Sequence, residues 1–369
     1  MKRNFLKSMF IAGIIAGTML LSACNSEETG IVTQSAAAIA TSAPASTPAN
    51  SDLETVVLYS NAISDGRGEW IQDQALEIGI DLQLVSQGGV GLANRLVAER
   101  YNPMADVVFG LNQLLWADMV AESIITPFVP TWASEVPSHL NHSNGYFHAV
   151  ALVANLLAYD TAQVDAGQAP TDWLDLWTNP NFHGLYATPN ALTGSTTHMV
   201  LSGIFARFLD PDGLMGVSDE GWAHIAAKYR YATVVDQDIF GSWVDPALNT
   251  SMGQIWHMGI PTREEQFDLT ANFVVPSVGV PFSVEGVALI NGANNSDAAR
   301  RFIEWFGSAE VMQGFGAAFE YLPANPNALH GLSDATMTIA ALPEQNIDWD
   351  TVSANMGDWL EHIYLFYMP

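Results

Sequence analysis

The stretch Thr55–Ser60, TVVLYS, sets the first element of the fold, because a β-branched, apolar run of this length predicts a buried strand. A helix is predicted over 66–78, where apolar residues have helical spacing, and a second strand is predicted over 81–85. The alternation continues with a helix over 91–100, a strand over 106–109 and a helix over 113–121. Strands that alternate with helices predict an α/β fold with a parallel, doubly wound sheet.

A long apolar stretch over 149–159 divides the chain, which at 369 residues is about twice the length of a usual single domain. This stretch exceeds a typical strand, so we expect it to cross from one lobe into another. The segment 283–290, SVEGVALI, is expected to return as a strand to the first lobe. The predicted lobes are residues 53–153 together with 282–369, and residues 154–281.

The first 24 residues have the pattern of a lipoprotein signal peptide. A basic start is followed by an apolar run that ends in Leu21-Ser22-Ala23-Cys24. Cys24 is the single cysteine of the chain, and we expect its thiol to carry a lipid that anchors the protein on the extracytoplasmic side of the cell membrane. The alternative is an ordinary signal peptide or short anchor with a chance cysteine. Residues 25–52, rich in Ala, Ser, Thr and Pro, are predicted to form a flexible tether.

The composition excludes several classes of protein. Lys and Arg total 12 against 39 Asp and Glu, a net charge of −27, so no basic stripe is present for a nucleic-acid partner. One cysteine excludes a disulfide framework and a cysteine-based zinc cluster, and the nine histidines lack zinc spacing. No G-x-S-x-G or H-E-x-x-H motif is present either. We therefore predict no catalytic residues, no metal and no cofactor, and we expect a monomer.

Candidate binding residues follow the predicted strands, because ligands of such sheets bind at the carboxyl ends of strands. Ser60 and Asn61 end the first strand, and Asn112 follows the third. The segment 193–197, TGSTT, precedes an apolar helix. Free amides at a helix start favour an anion such as phosphate, carboxylate or carbonate, although plain helix capping is the alternative. The amides assigned to this anion site are those of Gly194, Ser195 and Thr196.

A second candidate group is aromatic. Trp256 and His257 are expected at the end of a strand, and Trp243 at a turn. An indole at a strand end can stack on a flat or cationic ligand, although a tryptophan of the core is the alternative. Lys228, a charged residue of the helix predicted over 222–231, is expected at the surface.

Several segments carry a family resemblance: 94–112, with its ADVVFGLN end, Gly241-Ser242-Trp243, 283–288 and 321–325. Together with the N-terminal pattern they resemble the substrate-binding proteins of bacterial ABC importers. The more similar group is the one that includes ferric-iron-binding and thiamine-binding members. The resemblance spans residue 53 to the C-terminus. It implies a two-lobed, type II periplasmic-binding-protein fold of the α/β class, in which each lobe is a mixed, mainly parallel sheet flanked by helices and two strands cross between the lobes. It also implies a small-molecule ligand in the interlobe cleft, and permease and ATPase partners.

The chain departs from this group at two places that bear on the ligand. Iron-binding members typically place two adjacent tyrosines where Trp256-His257 stands, and phenolate oxygens suit Fe(III). The thiamine version has an Asp where Asn112 lies, and that carboxylate would favour a cation. The expected ligand is therefore thiamine-like or a phosphate- or phosphonate-bearing organic molecule, with ferric iron less favoured. An extracellular enzyme and a ligand-sensing receptor subunit remain alternative functions.

Overall fold

The computed structural model describes residues 53–368, so the predicted signal peptide, Cys24 and the tether 25–52 lie outside the described residues. The described strands are β1 (Glu54–Ser60), β2 (Ile80–Ser86), β3 (Val107–Gly110), β4 (Ile125–Thr126), β5 (His148–Asp160), β6 (Tyr186–Pro189), β7 (Leu209–Leu214), β8 (Thr233–Val235), β9 (Met252–Trp256), β10 (Ala271–Val274), β11 (Phe282–Ile290) and β12 (Leu322–Pro323). The helices are α1 (Arg67–Glu77), α2 (Gly89–Glu99), α3 (Gln113–Ala121), α4 (Asp175–Thr178), α5 (Ser195–Phe205), α6 (Asp219–Tyr231), α7 (Ile239–Val244), α8 (Gly259–Phe267), α9 (Ser296–Phe306), α10 (Ala309–Phe319), α11 (Asp334–Ala340) and α12 (Trp349–Phe366). Within this part of the chain, no helix has both the length and the apolar character needed to cross a membrane.

The first lobe is built on the strand that opens the sequence pattern. β1 lies between β2 and β3 and pairs with both in parallel. β11 then pairs antiparallel to β3, and the first half of β5 pairs antiparallel to β11. Because β1 is central and covered on both faces, Leu58, Tyr59 and Ser60 are all buried.

β5 is a single strand of 13 residues that belongs to both lobes. Up to Ala154 it pairs with β11, and from Asn155 it pairs with β9. β9, β6 and β8 run parallel to one another and form the sheet of the second lobe, while β10 pairs with the far end of β5. The predicted α/β class, with mixed sheets and a long crossing strand, is thereby confirmed.

The last helix, α12, packs against the second lobe, although the sequence predicts residues 282–369 in the first lobe. α12 carries an apolar stripe formed by Val352, Met356, Trp359 and Ile363, all buried. The Trp359 ring lies 4.3 Å from the ring of Phe205 in α5, so this stripe is covered by the core of the second lobe. A helix with such a stripe must bury it, and the assignment of 282–369 to the first lobe does not describe these contacts. The other boundaries of the two lobes stay predictions.

Lys228 is buried, with 3% of its surface exposed, which corrects the expectation of a surface residue. It lies on the face of α6 that also buries Ile225 and Tyr229. Its Nζ donates a hydrogen bond to Thr188 Oγ1 at 2.9 Å, and burial lowers the pKa of its ammonium group to about 7. The position of Lys228 on the buried face of α6 determines its burial, despite the charge of its side chain.

Candidate functional site

A cleft of about 410 Å³ lies between the two lobes. Its wall in the first lobe includes Asn61, which follows β1. Its wall in the second lobe includes Pro189 and Trp256, the last residues of β6 and β9. The carboxyl ends of parallel strands in both lobes therefore meet at the cleft, where an α/β sheet binds its ligands. The charged side chains that line it are Arg67, Asp238 and Glu285.

The N-terminus of α5 opens into this cleft from the second lobe. Gly194 is the N-cap, and the first turn exposes the amides of Ser195, Thr196 and Thr197, which have no partner within the helix. No side chain caps this helix start. Gln254 Nε2 donates to Thr197 Oγ1 at 2.8 Å, which fixes the wall beside the amides. The helix dipole and the free amides favour an anion over a cation at this end of the cleft.

A second helix N-terminus faces the same cleft from the first lobe, and the sequence analysis missed it. Gly88 is the N-cap of α2, and Gly88 and Gly89 line the cleft. No side chain caps this helix start either. A Cβ at position 89 would lie 3.2 Å from Leu115 Cδ1, so glycine allows the backbone to sit tightly against α3. The pair of glycines before a predicted helix was the signal that could have identified it.

Arg67 is the cation of the cleft, and it was also missed. The residue is only 4% exposed, and burial lowers the pKa of its guanidinium group. Its Nε donates to the carbonyl of Ala62 at 3.0 Å, and its Nη2 donates to Ser64 Oγ at 2.6 Å and to Asp65 Oδ2 at 3.1 Å. An arginine at the first position of a helix opposes the helix dipole, and this local conflict was the available signal.

Glu285 is the third missed residue. It lies in β11, is 8% exposed and lines the cleft. Burial raises the pKa of its carboxyl group to about 7, and the nearby charge of Arg67 opposes that shift. The hydroxyl of Tyr321 donates to Glu285 Oε2. A single glutamate inside the otherwise apolar run SVEGVALI could have indicated a site residue.

Five of the nine predicted ligand contacts line the cleft: Asn61, Gly194, Ser195, Thr196 and Trp256. Ser60 does not, because it is fully buried and its Oγ accepts a hydrogen bond from the amide of Ala62 at 2.9 Å. For the five residues that line the cleft, ligand binding stays a prediction.

Asn112 is also fully buried and does not line the cleft. Its Oδ1 accepts from the amides of Leu114 and Leu115 and so caps α3. Its Nδ2 donates to Ser195 Oγ at 2.9 Å. Asn112 therefore joins the first lobe to the first residue of α5 in the second lobe, which corrects the expectation that it contacts the ligand directly.

Trp243 and His257 are placed outside the cleft. The Trp243 ring stacks on Phe240 at 4.0 Å in the core of the second lobe. His257 Nδ1 accepts from the amide of Ala154 at 3.1 Å, so the proton is on Nε2, which donates to the carbonyl of Glu320 at 3.1 Å. Burial lowers the pKa of this imidazole to about 4, and the side chain lines a separate cavity of about 260 Å³. Local packing and backbone partners, which a sequence pattern does not show, determine both positions.

Trp256 lies under a charged network that also joins the lobes. The guanidinium carbon of Arg263 lies 4.5 Å from the centre of the Trp256 ring. Arg263 pairs with Asp238 of the second lobe at 3.3 Å and with Asp65 of the first lobe at 3.5 Å. Among residues 53–368, no group of three or more His, Cys, Asp or Glu is placed to hold a metal ion.

Comparison with known proteins gives matches over most of the chain. A family model described as bacterial extracellular solute-binding protein matches residues 102–354. A probable ABC transporter periplasmic-binding protein, y4fP, of Sinorhizobium fredii is 34% identical over 85% of this chain and 86% of that relative. A putative 2-aminoethylphosphonate-binding periplasmic protein of Salmonella typhimurium is 25% identical over 78% of this chain and 88% of that relative. Iron-bound HitA from Pseudomonas aeruginosa has a TM-score of 0.68 at 15% identity over 84% of this chain and 99% of that chain, a likeness of fold alone.

Proposed function

Because the chain belongs to the family of bacterial extracellular solute-binding proteins, we propose that it captures a small organic phosphonate or phosphate monoester in the interlobe cleft. It then delivers this ligand to the permease and ATPase subunits of an ABC importer. The observation that carries the proposal is that two helix N-termini, those of α2 and α5, line the same cleft as Arg67. Two sets of free amides, two helix dipoles and one buried cation favour a compact anion with several oxygens.

The magnitudes support a specific site for an anion. A helix N-terminus in a partly buried geometry stabilises an anion by up to about 2 kcal/mol, or roughly thirtyfold in affinity. The two helices approach from opposite lobes, so an anion between them gains both contributions only when the lobes are together. Ligand binding and lobe closure are thereby coupled.

The other candidate ligands fit this lining less well. The cleft residues of the described part include no tyrosine, and phenolate oxygens are the ligands that suit Fe(III). Thiamine without phosphate carries a cationic ring, which the positive ends of two helices disfavour. Thiamine phosphates keep the anionic group and therefore remain within the proposed class of ligand.

Two contacts hold the lobes together beside the cleft and would stabilise the closed arrangement. The hydrogen bond between Asn112 and Ser195 and the ion pair between Asp65 and Arg263 each join one lobe to the other beside the cleft. We further propose that the protein acts as a monomer, tethered through residues 25–52 to a lipid on Cys24.

Calorimetric titration of the purified protein tests the ligand class. The titrants are 2-aminoethylphosphonate, a phosphate monoester, thiamine and Fe(III) citrate, and we expect heat only from the phosphonate or the phosphate ester. Arg67→Gln should weaken that binding strongly, whereas Arg301→Gln, at an exposed site of the first lobe, serves as the matched control. Tight Fe(III) binding without any response to phosphonates or phosphate esters contradicts the proposal.

A further inference from the structure

The carboxyl group of Glu285 stands out because it is buried in the cleft with only one of its oxygens engaged. Its Oε2 accepts the hydrogen bond from Tyr321, and Oε1 has no hydrogen-bond partner among residues 53–368. Tyr321 is itself fully buried and packs on Phe315 at 4.7 Å. The carboxyl group is therefore held in place from one side and left available to a ligand on the other.

This carboxyl group also lacks a counter-charge of its own. Arg67 is the nearby cation, but its guanidinium group donates to Asp65, Ser64 and the carbonyl of Ala62 and not to Glu285. In the described part of the chain, Glu285 forms no ion pair. Burial without a paired cation disfavours the ionised carboxylate, which is why the pKa of Glu285 rises to about 7.

We propose that Glu285 makes the cleft selective for zwitterionic ligands, in which an ammonium group accompanies the phosphonate or phosphate. When such a ligand binds, the Glu285 carboxyl group gives up its proton to the solvent, and the carboxylate pairs with the ammonium group. This inference rests on the proposed function, because the anionic end of the ligand is bound by the amides of α2 and α5. The cleft volume of about 410 Å³ accommodates both ends of a small zwitterion.

Other ionisable groups lie near this carboxyl group and must be considered. Arg67 and Tyr321 act on it directly, and Asp238, the N-cap of α7, lines the same cleft. Asp65 and Arg263 are linked to these groups by ion pairs, and the charge of Arg67 acts on His257. The pKa of His257 lies at about 4, so this imidazole stays neutral above pH 5. Asp238 is the one other carboxylate in the lining, and it is already paired with Arg263.

The test compares two ligands and two proteins across pH. The ligands are 2-aminoethylphosphonate and ethylphosphonate, which differ by the ammonium group. The proteins are the wild type and Glu285→Gln, which keeps the shape of the side chain and an acceptor for Tyr321. For each protein, the Kd of ethylphosphonate is divided by that of 2-aminoethylphosphonate. Dividing the wild-type ratio by the variant ratio then cancels the ionisation of the ligands themselves.

We expect the wild type to prefer the amino ligand at pH 8 by about tenfold more than the variant does, as a desolvated charge pair warrants. With a pKa of about 7, the carboxyl group is ionised to about a tenth at pH 6 and about nine-tenths at pH 8. The protonated carboxyl group should give no more preference than the variant, so the quotient of ratios should rise roughly fivefold over this range. Titration at pH 7 in buffers of different ionisation enthalpy should show release of about half a proton more by the wild type than by the variant.

A quotient that stays near one at every pH overturns the role of Glu285, while binding of both phosphonates leaves the proposed function standing. If neither phosphonate binds the wild type, the proposed function fails, and the inference fails with it. Tyr321→Phe is the second variant, needed if Glu285→Gln unfolds. It removes a donor to the carboxylate, so the rise of the ligand ratio should move to higher pH. A loss of amino preference in Asp238→Asn that equals or exceeds the loss in Glu285→Gln would assign the role to Asp238 instead.

Discussion

Replacement of Ser195 by proline tests the anion site at α5 most directly. Ser195 is the first helical residue, where proline is well tolerated because the amide has no partner in the helix. Gly194 before it has φ −76° and ψ 138°, a conformation that suits a residue preceding proline. Ser195→Pro should therefore keep the helix and remove one amide that faces the cleft.

The matched control is Ser195→Ala, since both variants lose the hydroxyl that accepts from Asn112 but only proline loses the amide. A hydrogen bond to a charged group contributes about 1.5–3 kcal/mol, so we expect Ser195→Pro to bind a phosphonate roughly tenfold to hundredfold more weakly than Ser195→Ala. Calorimetry measures the two Kd values, and thermal unfolding checks that both variants fold alike. Equal affinities in the two variants would refute the idea that this helix start binds the ligand.

Three further predictions concern the anchor, the cleft wall and the buried lysine. Cys24→Ala should move the protein from the membrane fraction to the soluble fraction, which fractionation with mass measurement detects; a variant that still pellets contradicts lipidation. Trp256→Ala should weaken phosphonate binding about thirtyfold, against little change for Tyr101→Ala at a residue 87% exposed, and equal effects would remove Trp256 from the site. The folded pKa of Lys228, about 7, lies below its unfolded value, so the unfolded chain binds more protons between pH 7 and about 10.5 and stability should rise with pH there. Lys228→Met should abolish the part of that rise due to this residue, measured by urea unfolding; an unchanged slope contradicts the assignment.

The sequence predicted the elements whose pattern is local and strong. The strand over 55–60, the helix over 113–121 and the long strand over 149–159 match β1, α3 and β5 within about a residue at each end. Short or glycine-containing elements were not predicted, such as β8 of three residues and α10, which contains Gly314 and Gly316. Their residues lack a clear period, and tertiary contacts stabilise them.

The candidate site shows the same difference between features set by local sequence and features set by tertiary contacts. The helix start at 194–196 was predicted because an anion site made of backbone amides depends on local chain geometry, which the residue types reveal. Trp243 was placed in the cleft because it stands at a predicted turn, and His257 because strand ends are the usual positions of ligand contacts. Their actual partners, Phe240 for one and the backbone of Ala154 for the other, follow from packing between distant segments.

Arg67 and Glu285 show why the buried charged residues of the cleft were the hardest to identify. They are 218 positions apart in numbering and reach the same cleft only because β11 returns between β3 and β5, two strands away from β1, which precedes α1. A charged residue gains a functional meaning when burial removes water from it, and burial is a property of the assembled lobes. The sequence thus indicates the backbone amides of the proposed anion site, whereas the proposed selectivity for a second charge depends on a carboxyl group that only the folded cleft places and desolvates.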